Sequence, residues 1–244
     1  MRDLLLKIIQ ERQTTRFPYE AGRTIAKRDL WYILEAARWA PTPHNMQNFE
    51  IVVVDDKKIL ETIGRIKFVT SDCFIKENYE NLCFTEEELI RKKTGIMATG
   101  FPPAMWTAGG KLDEAFYEER RSGMKRSIEC SSILIVVIYN PKRRAPASPG
   151  DFLGIVGLGC ALENMWLMAH SLGISLQIMS SLFIYPEIEK EVKDILNIPE
   201  ETKIAFAFRA GYLLKTGTRY LRVRREIGDF THHNKFGHVW SQNS

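Results

Sequence analysis

SSILIVVIYN, residues Ser131–Asn140, is the stretch on which the fold turns. Its run from Ile133 to Ile138 is continuously apolar and mostly β-branched, which predicts a central strand covered on both faces. A sheet buried on two faces needs helices in two layers, and the flanking sequence supplies them. After the loop PKRRAPASPG, Asp151 is placed to cap a long helix with Leu158, Leu162, Met165, Ala169 and Leu172 along one stripe. Gly173 falls where a left-handed residue closes such a helix. Apolar on most sides, this helix is expected to be the central buried one.

Working outward, ISLQIMSSLF reads as a strand and then a loop, and KIAFAFRAGY as another strand. Between them Pro186 opens a helix with Ile188, Val192, Ile195 and Leu196 on one face. Upstream, MRDLLLKIIQERQ is amphipathic through Leu4, Leu5, Ile8 and Ile9. In RTIAKRDLWYILEAARWAP, Leu30, Ile33, Leu34, Ala37 and Ala40 keep helical spacing until Pro41 and Pro43 end it. FEIVVVDD predicts a buried strand and DKKILETIGRIK a short helix. From about residue 68 to 125 the pattern weakens. An acidic-then-basic helical stretch, FTEEELIRKKTG, is followed by FPPAMWTAGG, whose paired prolines and glycines break regular structure. With Phe74, Phe84, Phe101, Met105, Trp106, Phe116 and Tyr117, this excursion is too aromatic for a solvated linker. It is expected to cover something, either ordinary core or a site. The last stretch, TRYLRVRREIGDFTHHNKFGHVWSQNS, reads as an arm that packs on another surface. With strands alternating with helices and no linker-like boundary, residues 1–244 are expected to form a single α+β or α/β domain with an inserted excursion at about 68–125.

Composition narrows the function classes. At 244 residues, 45% hydrophobic and 26% charged, the chain is neither disordered nor low in complexity. Its four cysteines show no C-x-x-C pair, which fits reduced thiols better than disulfides or zinc and implies no metal. Lys7 interrupts the first apolar stretch before a signal peptide could form, and no run reaches the length of a membrane span. The protein is therefore expected in the cytoplasm, away from membranes. A net charge of +4 is too small for a nucleic-acid binder. The basic residues are clustered at Arg12–Arg16, Lys142–Arg144 and Arg219–Arg225. Such clusters either form solvated surface or converge on a small anion such as phosphate.

Most catalytic signatures are missing. GLGCAL at residues 157–162 lacks the third glycine of a dinucleotide fingerprint and sits inside a helix. There is no Walker pattern and no G-x-S-x-G. Ser122 and Lys125 form an S-x-x-K without companion motifs. His232, His233 and His238 lie in the tail without an H-E-x-x-H helix. Two segments are less ordinary. In ERQTTRF, Arg12, Thr14 and Arg16 alternate where a helix gives way to extended chain, so two guanidiniums and a hydroxyl can face one phosphate. In APTPHNMQNF, Thr42, His44, Asn45 and Gln47 crowd a proline-ordered loop, where amides can bond the polar edge of a heterocycle. Taken singly, each also suits turn or capping chemistry.

In order along the chain, these segments resemble the nitroreductase family. That family's R-R-S-x-R after the first helix corresponds to Arg12-Gln13-Thr14-Thr15-Arg16, and its A-P-S-x-x-N-x-Q-P-W to Ala40–Phe49. LENMWLMAHSLGISLQI, IPEETKIAFAFRAGY and the closing RREIGDFTHHN match its later segments. Asn48 and Phe49 replace the family's Pro-Trp pair, and Gln13 replaces a usual basic residue.

The resemblance implies an α+β fold, a mixed sheet flanked by helices in a domain-swapped homodimer, with FMN in two interfacial sites. Carried over by position, Arg12 and Arg16, joined by Arg224 or Arg225, would hold the flavin phosphate. Gln13 and Thr14 would meet the ribityl or pyrimidine edge. Pro41, Thr42, Asn45 and Gln47 would reach the partner's flavin, while Ser175, Gln177 and Ser180 would lie along the isoalloxazine. Phe101, Trp106 and Tyr117 would belong to a substrate lid. The implied activity is ping-pong hydride transfer from NADH or NADPH through FMN to an electron-poor small molecule such as a nitroaromatic or quinone. No catalytic side chain is required, because the cofactor carries the chemistry. The alternatives are a specialised enzyme of the same fold, dehalogenating or flavin-consuming, and a non-catalytic flavin-binding dimer.

Overall fold

The computed structural model describes residues 1–16, 18–67, 77–78, 81–98, 125–214 and 221–240. In chain order come α1 (Arg2–Glu11), α2 (Lys27–Arg38), a 3-10 turn (Pro43–Asn45), β1 (Phe49–Val54), α3 (Lys57–Gly64), β2 (Cys83–Phe84), α4 (Glu86–Lys92) and β3 (Ile96–Met97). They are followed by β4 (Ile133–Tyr139), α5 (Phe152–Ser171), β5 (Ser175–Ile178), α6 (Pro186–Leu196) and β6 (Lys203–Gly211).

The main sheet has the order β1-β4-β6-β5, and each of its neighbouring pairs is antiparallel. Beyond β5, Thr14 adds a parallel bridge to Leu176, so the sheet is mixed. Antiparallel pairing without βαβ crossovers makes the fold α+β. β4 is the two-faced strand that its sequence requires. Ile133, Ile135 and Val137 enter one core with Ile33 and Ala37 of α2 and with Leu158, Ala161 and Met165 of α5. Leu134, Val136 and Ile138 enter a second core with Leu60 and Ile63 of α3 and Ile188 and Val192 of α6. Each of the Ile, Leu, Val and Met side chains contributes about 1.5–3 kcal/mol by leaving water.

Two expectations for α5 are corrected. Asp151 stands at its N-cap, but its side chain makes no capping bond, because φ −91° and ψ 2° depart from the extended backbone that aims a cap at the first-turn amides. The carboxylate accepts instead from the Tyr139 hydroxyl at 3.3 Å. Burial, reinforced by that neighbouring charge, pushes the Tyr139 phenol above its ordinary pKa. Nor is the helix buried throughout. Leu158, Ala161, Met165, Trp166 and Ala169 are buried, but Phe152, Leu153, Ile155 and Val156 are exposed, Phe152 at 70%. By length and composition alone α5 could cross a membrane; its buried stripe is the packed face of a core helix. Its end matches expectation, with Gly173 at φ +73° and Ile174 N donating to Ala169 O at 2.8 Å. α1 is amphipathic, yet Leu4, Leu5, Leu6 and Ile9 are exposed.

The described residues divide into two compact units, Met1–Phe68 with Arg120–Gly217 and Val69–Glu119 with Thr218–Ser244. In the second, α4 starts with a reciprocal capping box: Thr85 Oγ1 accepts from Glu88 N at 3.3 Å, and the Glu88 carboxylate accepts from Thr85 N at 3.2 Å. The short parallel pair β2–β3 is not foreseen by the sequence. It closes over Gly95, at φ +94°, where a Cβ would lie 2.5 Å from the Phe84 ring. Lys93 ties α4 to the tail by ion pairs to Glu226 at 3.4 Å and Asp229 at 3.7 Å.

Candidate functional site

The arginine segment is built by the sheet. Arg12 ends α1 at φ −54°, ψ 132°, and the chain turns extended. Thr15 N then donates to Leu176 O at 3.1 Å, so Arg12–Arg16 runs beside β5. Thr15 is buried, Thr14 half-buried and Arg16 exposed, the alternation expected of extended chain. Arg12 is anchored to α5, with Nε 3.2 Å from the Glu163 carboxylate and the guanidinium 4.6 Å from the centre of the Trp166 ring. Neither Glu163 nor Trp166 is singled out by the sequence.

Along β5, Leu176 and Ile178 pack into the first core, while Ser175 and Gln177 alternate to the other face. The Gln177 carboxamide oxygen accepts from Arg209 Nε at 2.8 Å. Arg209 is fully buried on β6, lies 4.1 Å from the Tyr19 ring centre and donates to Ser127 O at 3.1 Å. A buried guanidinium is tolerated only when its donors are met, and the Gln177 and Ser127 oxygens meet two of them. Burial raises the Tyr19 phenol far above its ordinary pKa, so it stays neutral beside that charge. Gly211 makes room for Tyr19, since a Cβ there would lie 2.5 Å from the ring. The one signal in sequence for this cluster is a single charge inside the otherwise apolar KIAFAFRAGY. Ser180 is exposed at the start of a 3-10 turn after β5.

The second segment is shaped by backbone. His44, Asn45 and Gln47 have φ of 50°, 55° and 46°, three left-handed non-glycine residues within four positions. Such conformations cost energy unless surrounding structure imposes them. Thr42 Oγ1 accepts from Gln47 N at 3.1 Å, and Gln47 Nε2 donates to Asn45 Oδ1 at 3.2 Å. The loop rests on α5 at Gly157, where a Cβ would lie 3.1 Å from Pro41 O. Pro41, His44, Asn45 and Gln47 are exposed. Asn48 is 7% exposed, and its Oδ1 has no hydrogen-bond partner among the described residues.

The structure thus joins Arg12–Arg16 to Ser175–Ile178. The 41–47 loop meets α5 earlier, at Gly157 rather than at Glu163, about 9 Å along the helix axis at 1.5 Å per residue. Arg224 and Arg225 belong to the second unit. Arg224 Nη1 donates to Val223 O at 2.8 Å, and the Arg225 guanidinium lies 5.4 Å from the Phe230 ring centre. Phe101, Trp106, Tyr117 and Ser122 lie outside the described residues. The tail histidines are exposed, and no group of three or more His, Cys, Asp or Glu among the described residues could hold a metal.

A family model described as Nitroreductase family matches residues 9–212. The chain belongs to the nitroreductase family. The match begins in α1, takes in the arginine segment, the 41–47 loop and β5, and ends just after β6. Solved structures share this nitroreductase fold. A nitroreductase with bound FMN from Bacteroides fragilis is 20% identical, covers 91% of this chain and 94% of its own, and superposes with a TM-score of 0.55. An FMN-dependent nitroreductase from Clostridium difficile is 17% identical over 95% and 99%, with a TM-score of 0.56. Oxidised iodotyrosine deiodinase bound to FMN and 3-iodo-L-tyrosine is 21% identical over 95% and 100%, with a TM-score of 0.59. No curated protein matches the chain by sequence.

Proposed function

We propose that this nitroreductase-family chain is an FMN-dependent oxidoreductase that works as a homodimer. The observation that carries the reading is the pairing of Thr14 and Thr15 with Leu176, which brings an arginine-rich segment against the strand that follows the central helix. The donor set fits the cofactor. Guanidiniums at Arg12 and Arg16 suit a phosphate, the Thr14 hydroxyl adds a neutral donor, and the Asn45 and Gln47 amides suit a pyrimidine edge. These residues would hold FMN, which would supply hydride and electron transfer between NADH or NADPH and an electron-poor acceptor such as a nitroaromatic or quinone.

The chain's own residues bind and orient. Glu163 and Trp166 fix the Arg12 guanidinium, which limits the entropy lost when it takes a ligand. Arg16 contributes a second charge from the same edge. Gln13 completes the edge of the ribityl and pyrimidine. Ser175, Gln177 and Ser180 line the isoalloxazine, with Gln177 held in one orientation by Arg209. Pro41, Thr42, Asn45 and Gln47 serve the flavin of the second copy. The second copy covers the apolar side chains that one chain leaves outside, Phe152, Leu153, Ile155 and Val156 of α5 and Leu4, Leu5 and Ile9 of α1.

The likeness to a deiodinase with an iodinated tyrosine bound favours a second reading, reductive dehalogenation of a halogenated aromatic. One experiment separates the two. Protein reconstituted with FMN is reduced anaerobically by NADH or NADPH, and the visible flavin band is followed as acceptors are added. Recovery of the band with nitroaromatics or quinones supports the broad reductase. Recovery with 3-iodo-L-tyrosine and release of iodide, but not with nitroaromatics, supports the specialist. Bound flavin that no acceptor reoxidises contradicts both and leaves a binding protein.

A further inference from the structure

α5 carries three glycines in its first half, Gly154, Gly157 and Gly159, although glycine is less favourable than alanine inside a helix. Only two of them have a steric reason. A Cβ at Gly157 would lie 3.1 Å from Pro41 O, 3.4 Å from Thr42 Cα and 3.5 Å from Pro43 Cδ. Two of these neighbours are backbone, so the contact cannot be relieved by turning a side chain. A Cβ at Gly154 would lie 2.9 Å from Asn48 Nδ2. Asn48 has little room to retreat, being 7% exposed. At Gly159 nothing lies within 4 Å.

Gly154 and Gly157 are one turn apart and face the same side of the helix. Both are buried. The loop they receive holds His44, Asn45 and Gln47 in the left-handed region, a set of conformations that persists only where the surroundings over-determine it. Its internal bonds, Asn45 N to Thr42 O at 3.0 Å and Gln47 N to Thr42 Oγ1 at 3.1 Å, both run to the residue packed over Gly157. Moving Thr42 therefore moves the acceptors that hold Asn45 and Gln47. The buried Asn48 carbonyl, without a hydrogen-bond partner among the described residues, adds a cost that the fold tolerates at this position.

We propose that Gly154 and Gly157 are positioning residues: a notch in α5 that sets the backbone of the 41–48 loop and, through it, the presentation of Asn45 and Gln47 to flavin. The proposal deepens the FMN reading above and rests on it. The two neighbours differ in kind, side chain at Gly154 and backbone at Gly157, and this difference makes a distinctive prediction. The contact created by Gly154→Ala is removed by Asn48→Ala, whereas no side-chain deletion removes the contacts created by Gly157→Ala.

The test uses the full-length protein in four variants, Gly154→Ala, Gly157→Ala, Gly159→Ala and the double variant Gly154→Ala with Asn48→Ala. Amide hydrogen exchange of residues 42–47 is measured without flavin, and FMN is then titrated by fluorescence. Gly157→Ala and Gly154→Ala are expected to speed exchange at Asn45 and Gln47 and to weaken FMN binding about tenfold, the loss of one well-made hydrogen bond. Gly159→Ala leaves the loop exchange unchanged, and the double variant returns both readouts towards the parent values. Unchanged loop exchange in Gly157→Ala overturns the proposal, as does a double variant no better than Gly154→Ala. If Gly157→Ala fails to fold, the Gly154 and Asn48 pair decides the matter alone. Parent protein that takes up no FMN overturns the functional reading, and the loop exchange still decides whether the notch holds the loop.

Discussion

Along α5 two stretches of similar hydropathy meet opposite surroundings. Leu158, Ala161, Met165 and Ala169 are shut into the first core, while Phe152, Leu153, Ile155 and Val156, earlier in the same helix, lie outside it. The pattern of apolar residues states what ought to be covered, and only tertiary structure states what covers it. In the second half the sheet and α2 do so. In the first half the 41–48 loop covers the glycine side among the described residues, and we attribute the remaining cover to a second copy.

The largest effect that sharpens this contrast lies in the buried half. Met165→Ala is expected to cost about 2–5 kcal/mol of stability, read from denaturant midpoints. Phe152→Asp, in the exposed half, should leave the secondary structure of the chain intact but shift sedimentation towards the monomer and weaken FMN uptake in parallel. A Phe152→Asp protein that sediments like its parent breaks the comparison. Outside the helix, Thr85→Ala removes the capping box of α4 and should cost about 1 kcal/mol locally, visible as faster exchange of the α4 amides with little change in global melting.

Much of the fold is legible in the sequence because its signals are local. The two-faced run of β4, Pro186 at the start of α6, Gly173 after α5 and the acidic-then-basic stretch of α4 each act within a few residues. The Arg12–Arg16 segment is legible as well, since extended alternation follows from where α1 stops. What escapes the sequence is set by distant partners. Arg209 is buried because Gln177, Ser127 and Tyr19 come to it from three other parts of the chain. Arg12 turns to Glu163 and Trp166, more than a hundred residues away. The 41–47 loop is recognisable as proline-ordered, but its three left-handed residues are not, because they depend on two glycines of α5. Asp151 has the right side chain for a cap and the wrong backbone, which a neighbouring tyrosine exploits.

The claim that these segments form an FMN site is tested most directly by titrating the purified protein and the Arg12→Ala, Arg16→Ala double variant with FMN and with riboflavin, which lacks the phosphate. At about 1.5–3 kcal/mol per charge-assisted bond, the account predicts that the parent binds one FMN per chain and prefers it to riboflavin. The double variant should stay folded, lose most of that preference and bind riboflavin as before. Equal affinity of the parent for the two flavins, or unchanged FMN affinity in the double variant, would contradict it.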